Sequence, residues 1–274
     1  MNMHKAWLVF KKDWLEIKRN GQVLVPIIIV PLIFSVAFPV ILIFVSSAPI
    51  QNIGSNDISA SLIPNLPAEI QAQLAQFTPT QIMIYIMVLY FFAPFFLIIP
   101  IMASSVIGSD SFAGERERKT IEALLATPLS DSELLLGKIL VSFIPAMIIT
   151  FVSFGIYATV VDVVTYGMFN GMLLLPNVSF LIMVFGVAPT LALCSIGLTV
   201  IISAKVKGFK EAQQISVVLL LPVLGLVFAQ ISGVLVLGPL VLAALIGILA
   251  AVDIAVFYIG VGIFQREEIL SKPA

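Results

Sequence analysis

The 274-residue sequence is short of charge, with Asp, Glu, Lys and Arg making up 11% of it, where an ordinary soluble domain carries about 25%. Apolar side chains reach 60% and the mean hydropathy is +1.15. Those values exclude a water-soluble globular fold and imply an integral membrane protein. Fourteen Lys/Arg against fifteen Asp/Glu leave a net charge of −1, so the basic footprint of a nucleic-acid binder is missing. One cysteine, Cys194, and one histidine, His4, exclude an internal disulfide and a His/Cys metal cluster. His4 lies outside the apolar runs, so a membrane-buried Ser-His pair is excluded too. No G-x-x-x-x-G-K-[ST] phosphate loop occurs.

What the sequence has in abundance is uncharged runs. A helix crossing about 30 Å of hydrocarbon needs roughly 20 apolar residues, and six such spans are predicted at 23–48, 81–107, 139–164, 178–204, 216–236 and 239–264. The last two form one apolar stretch divided at Gly238-Pro239. The first is too long for a signal-peptide core, and Pro49 follows it where cleavage would fall, so it is expected to remain in the mature chain. Lys and Arg number five before the first span, four between the second and third, three between the fourth and fifth, and two after the sixth. The other loops have none. This positive-inside pattern predicts a multi-pass plasma-membrane protein with both termini cytoplasmic. The expected fold is all-α, a single transmembrane domain over 1–274. Prolines 26, 31, 39, 94, 100, 145, 189 and 222 lie inside the spans and predict kinks, whether as ordinary membrane-helix prolines or as the bends of a transport pathway.

Three of the segments outside the spans carry patterns of their own. In residues 1–20, Met3, Trp7, Phe10, Trp14 and Ile17 recur at helical spacing, with Lys5, Lys12, Glu16 and Arg19 on the other side. An amphipathic helix on the inner leaflet is expected, turning into the first span near Asn20-Gly21. The outer loop 49–80 contains PAEIQAQLAQF, in which Ile70, Leu74 and Phe77 make the stripe of a short capping helix. The third segment is the cytoplasmic loop 108–138. Glu115 stands three and four residues before Arg118 and Lys119, a spacing that pairs charges along a helix. Ile121, Leu124 and Leu125 supply an apolar patch, and Thr127-Pro128 ends the helix. Ser130 and Glu133 have the spacing of a capping box, which starts the next helix. Such an element either lies on the membrane surface or docks its apolar knob into a soluble partner.

The run ERERKTIEALLATPLSDSELLLGK (115–138) resembles the first cytoplasmic loop of ATP-binding-cassette type-2 export permeases. The resemblance rests on Glu115, Arg116, Glu117, Thr120, Glu122, Leu124, Leu125, Thr127, Pro128, Glu133, Leu134, Gly137 and Lys138. Lys119 departs from the pattern, which commonly has glycine there, and a longer or stiffer helix is expected in consequence. Six spans and an amphipathic first helix extend the likeness along the chain. The resemblance implies a coupling helix at about 115–127 that contacts a separate nucleotide-binding ATPase subunit through Glu115, Arg116, Glu117, Thr120, Ile121, Glu122, Leu124, Leu125, Thr127 and Pro128. It implies a second permease copy, in a homo- or heterodimer around a central pathway, and ATP and Mg on the partner subunit, with no cofactor on this chain. The long first outer loop and minimal final connection look closer to the sodium, drug and antibiotic-resistance branch than to the lipid and polysaccharide exporters.

Charges inside a bilayer are costly and often functional. Asp253 falls near mid-depth of the last span, Asp162 near the outer end of the third, and Gln230 in the fifth. These three are candidate pathway residues. Asp253 also supports a rival expectation, an ion-driven secondary carrier, and the two aspartates leave an acid/base dyad open in principle. A passive membrane anchor is a further alternative.

Overall fold

The computed structural model describes residues 3–47, 63–65, 68–120, 127, 129–206, 208–232, 234 and 237–263. Among these no strand occurs, and six helices are long and apolar enough to cross a membrane. The fold is that of an all-α polytopic membrane protein. In hydrocarbon every backbone N–H and C=O must find a partner inside the protein, and a helix satisfies both locally. We label the helices α1 (Met3–Ile17), α2 (Gly21–Ser47), α3 (Ala68–Leu74), α4 (Pro79–Glu117), α5 (Asp131–Thr165), α6 (Val178–Ser203), α7 (Phe209–Gln230) and α8 (Pro239–Ile263). The expected spans are all present, but α4 runs ten residues further than its apolar window, and α7 lies several residues earlier in the chain than the window placed it. The polar starts of α5 and α7 are helical because caps and side-chain bonds, invisible to a hydropathy window, hold them.

Of the apolar window of α4, 72% lies inside the protein, against 11% for α8, which makes α4 the central helix and α8 a peripheral one. Around α4 the side chains are small. Gly108 of α4 lies against Thr199 of α6 and Ser142 of α5, and the Ser195 hydroxyl donates to the Ile101 carbonyl at 3.2 Å. Small and hydroxylic residues let membrane helices approach closely where no hydrophobic force drives them together. Toward the far end the packing becomes aromatic: Phe92, Phe96, Phe154, Tyr157 and Phe180 are buried and stack on one another across α4, α5 and α6. Ile70, Leu74 and Phe77 join this core as the sequence spacing suggested, Phe77 meeting Phe169 edge-on.

Six of the eight span prolines divide into two groups. Pro39, Pro94 and Pro189 each follow a wide π turn, at Ile33–Ala37, Met87–Phe91 and Met183–Val187. A π turn re-registers the helix where the missing N–H leaves a carbonyl free. Pro26, Pro31 and Pro145 instead sit inside α-helical segments with no π turn before them.

The predicted amphipathic helix forms as α1, and Asn20 caps the following helix by accepting from the Gln22 amide, which places the turn where expected. Its buried face is different from the apolar stripe. Ala6, Val9, Phe10, Asp13 and Ile17 face inward, whereas Met3 is 59% and Trp7 50% exposed. Two contacts rotate the helix. Asp13 reaches a lysine of α5, and Ala6 and Val9 settle onto Gly137, where a Cβ would stand 2.6 Å from that of Val9 and 2.8 Å from the Ala6 carbonyl oxygen. Gly137→Ala therefore lifts α1 from α5 and lowers stability by about 1–3 kcal/mol, read as a lower melting temperature of the purified protein in detergent.

Candidate functional site

The cytoplasmic loop was expected to project its charged residues at a partner. The start of that segment is instead folded into the protein. α4 passes through a π turn at Asp110–Gly114 and stops after Glu117. The extra residue in the turn carries Asp110, Ser111 and Glu115 to the buried side of the helix, where Glu115 is 1% exposed.

Each of the next residues reaches a different element. The Glu115 carboxylate accepts from Lys12 of α1 with one oxygen and from Lys138 of α5 with the other, rather than pairing along its own helix with Lys119. Lys138 is fully buried. A lone buried ammonium costs several kcal/mol, and here its three protons are matched by the Glu115 carboxylate, the Ser111 carbonyl and the Ser111 hydroxyl, which itself donates to Asp13 at 2.8 Å. Burial alone would lower the Lys12 pKa; the Glu115 bond, with Asp13 and Glu16 close by, outweighs it and raises the pKa.

Arg116 donates to the Ala204 carbonyl at 3.0 Å, at the C-terminal end of α6. Glu117 accepts from the Phe209 amide at 2.9 Å, at the N-terminal end of α7. A cation at a helix C-terminus and an anion at a helix N-terminus both complement the helix dipole. Gly208 makes the second contact possible, since a Cβ there would lie 2.6 Å from Glu117 Oε2. Arg118 turns back to Asp110 at 3.0 Å, and Asp110 also accepts from Asn20, at the corner between α1 and α2.

The helix then ends in a Schellman turn. The Lys119 amide bonds the Arg116 carbonyl and the Thr120 amide bonds the Glu115 carbonyl, with Lys119 at φ 57°. This overturns the expectation of a longer helix through 119. The glycine of the family pattern falls where the backbone is left-handed, and lysine adopts that conformation at a cost of about 1–2 kcal/mol. Ile121, Glu122, Leu124, Leu125 and Pro128 lie outside the described residues. Thr120 and Thr127 are described but belong to no helix. The Ser130–Glu133 capping box is present in both directions.

The pathway candidates separate. Asp162 Oδ1 accepts from the amides of Leu174 and Leu175 at 2.9 and 3.1 Å, which fastens the α5–α6 connection. Gln230 is buried and donates to the Tyr90 carbonyl at 2.6 Å. That is the carbonyl that Pro94, lacking an N–H, leaves free four residues on. Tyr157 donates to Val88 in the same π turn at 2.7 Å, so side chains of α5 and α7 complete the break in α4. Asp253 is half-buried on the face of α8 that packs on α6, one turn before Val256, which covers Gly197. Its Oδ1 has no hydrogen-bond partner among the described residues. These three residues do not converge on one site.

Six membrane helices with a charge-lined knot at one end and an aromatic core at the other define a polytopic membrane protein. Residues 7–244 match the family described as ABC-2 family transporter protein, and the chain belongs to that family. No curated protein matches the chain.

Sequence reasoning missed Asp13, Ser111 and Lys12 as parts of the knot, and took Lys138 only as a motif position. Asp13 on the inner flank of an otherwise apolar face was the available signal. Lys138→Ala leaves Glu115 and Asp13 buried without their cation and destabilises by about 3–5 kcal/mol, while a compound change of Asp13, Glu115 and Lys138 to apolar residues recovers most of it. Lys119→Gly raises stability by about 1–2 kcal/mol, and Gln230→Leu lowers it by about 1–3 kcal/mol; thermal unfolding in one detergent compares all four.

Proposed function

We propose that this chain is the membrane-spanning permease subunit of an ATP-driven exporter, working as a dimer and driven by a separate cytoplasmic ATPase subunit that carries ATP and Mg. The observation that carries this reading is the linkage at the root of the 118–128 segment. Glu115, Arg116 and Glu117 bond in turn to α1 and α5, to the end of α6 and to the start of α7, while Arg118 turns back onto Asp110, which also holds Asn20 at the α1–α2 corner. A push on the segment just beyond them is therefore delivered to several helices together. A conformational change follows only if the partner binds one arrangement more tightly than the other, and a stiff linkage keeps that difference from being lost in local bending. The same reading puts both termini and this knot on the cytoplasmic side of the plasma membrane, as the distribution of Lys and Arg indicates. Contact with the ATPase then falls to Thr120 through Pro128, with Leu124 and Leu125 as the apolar knob, and Glu115, Arg116 and Glu117 serve behind it as transmitters.

A second reading, an ion-driven carrier, rests on the unpaired Asp253 oxygen within a membrane helix. Affinity purification in mild detergent separates the two. The permease reading expects an ATPase subunit to copurify, to be lost in Leu124→Asp, and to be retained in Arg116→Ala with its hydrolysis no longer coupled to transport. Absence of any ATPase across several detergents, with ion-dependent flux abolished by Asp253→Asn, would establish the carrier instead.

A further inference from the structure

We infer that the outward face of α1 is a binding surface for anionic phospholipid headgroups. The face opposite the one α1 buries carries Leu8, Lys11, Leu15 and Lys18 at spacings of three and four, with Trp7 beside them. Leu8 is 52% and Leu15 53% exposed, and Lys11, Lys18 and Arg19 are exposed. Lys18 lies over the Trp14 ring at 4.9 Å, which leaves its ammonium at the rim of an aromatic surface.

The acids of α1 are each paired with a cation. Asp13 is buried against Lys138 and Ser111, and Glu16 is held by Lys12 at 3.3 Å. The charge presented by Lys11, Lys18 and Arg19 is thus uniformly positive. Continuity of the chain fixes the depth at which this face lies. Asn20 caps α2, a membrane span, only three residues after α1 ends, so α1 sits at the membrane surface. At that depth leucine and tryptophan enter the boundary between headgroup and acyl chain while the lysine stems follow them and keep the ammonium groups at the phosphates. Zwitterionic headgroups balance each phosphate with a cation, and anionic headgroups keep a net negative charge, so the surface favours the latter.

The consequence is mechanical, because α1 has two charged faces with different partners. Lys12, Asp13 and Glu16 engage Lys138, Glu115 and Arg118 on the inner side, and lipid occupies the outer side. Anionic lipid thus holds α1 at the membrane surface from its outer side while the ion pairs hold it from the inner side. The inference rests on the membrane topology and not on an ATPase partner, so its test needs no partner.

The full-length protein in detergent is incubated with equal amounts of a phosphatidylglycerol and a phosphatidylcholine of the same acyl chains, and the retained lipids are counted by native mass spectrometry. Wild type retains phosphatidylglycerol in excess. Each cation near an anionic surface contributes about a fivefold preference, so Lys11→Glu with Lys18→Glu lowers the ratio by tenfold or more, and Lys11→Arg with Lys18→Arg preserves it. If charge reversal prevents folding, Lys11→Gln with Lys18→Gln gives an intermediate ratio. Equal retention of both lipids by wild type, an unchanged ratio in the Glu and Gln pairs, or full competition by soluble glycerophosphate would each overturn the inference.

Discussion

The fully buried Lys138 ammonium, held by the carboxylate of Glu115, is the interaction on which the charged end of this protein depends. An ammonium with no water around it must be met by acceptors in fixed positions, and meeting them decides where three helices go. The π turn at Asp110–Gly114 swings Glu115 and the Ser111 carbonyl inward. α1 rotates away from its own apolar stripe so that Asp13 joins them. Gly137, one residue before Lys138, gives α1 room to lie that close. Once Glu115 is anchored, Arg116 and Glu117 are aimed at the two ends of the α6–α7 connection, and the helix dipoles there match the sign of each charge.

The same logic of satisfying every buried polar group governs the opposite half of α4. Pro94 removes one helical hydrogen bond, the chain widens into a π turn, and two side chains from neighbouring spans repair the exposed carbonyls. A bend in a membrane helix is thereby made specific, because Tyr157 and Gln230 accept only one geometry of the break. Side by side, the two halves of α4 have different roles: the far half is shaped by aromatic packing, and the near half by charges that tie it to its surroundings.

Six spans, the amphipathic first helix, the cap at Asn20 and the capping box at Ser130 were legible in the sequence, since each follows from local periodicity, length or a short polar signature. The family was legible from the 115–138 run. The orientation of charged residues was not. Glu115 and Lys119 have the spacing of a helical ion pair, but a π turn upstream and a left-handed residue at Lys119 change which way both side chains point, and neither has a strong signature in one sequence. Asp162 reads as a membrane carboxylate and is a loop fastener, because the amides that bind it belong to a connection twelve residues away. Proline positions were legible while the local winding around them was not, since Pro145 lies within α-helix and Pro94 follows a π turn.

The central claim is that α1 and the adjoining ends of α4, α5, α6 and α7 move as one body. Spin labels on cysteines placed at Leu15 of α1 and Lys210 of α7, with Cys194 replaced by serine and labelled chains diluted in unlabelled ones, measure this directly by pulsed electron resonance in the complex with the proposed ATPase subunit. The account predicts a narrow intrachain distance that is the same with and without a non-hydrolysable nucleotide, and that broadens in Lys138→Ala. An intrachain distance that changes with nucleotide, or is already broad in the wild-type chain, would contradict it.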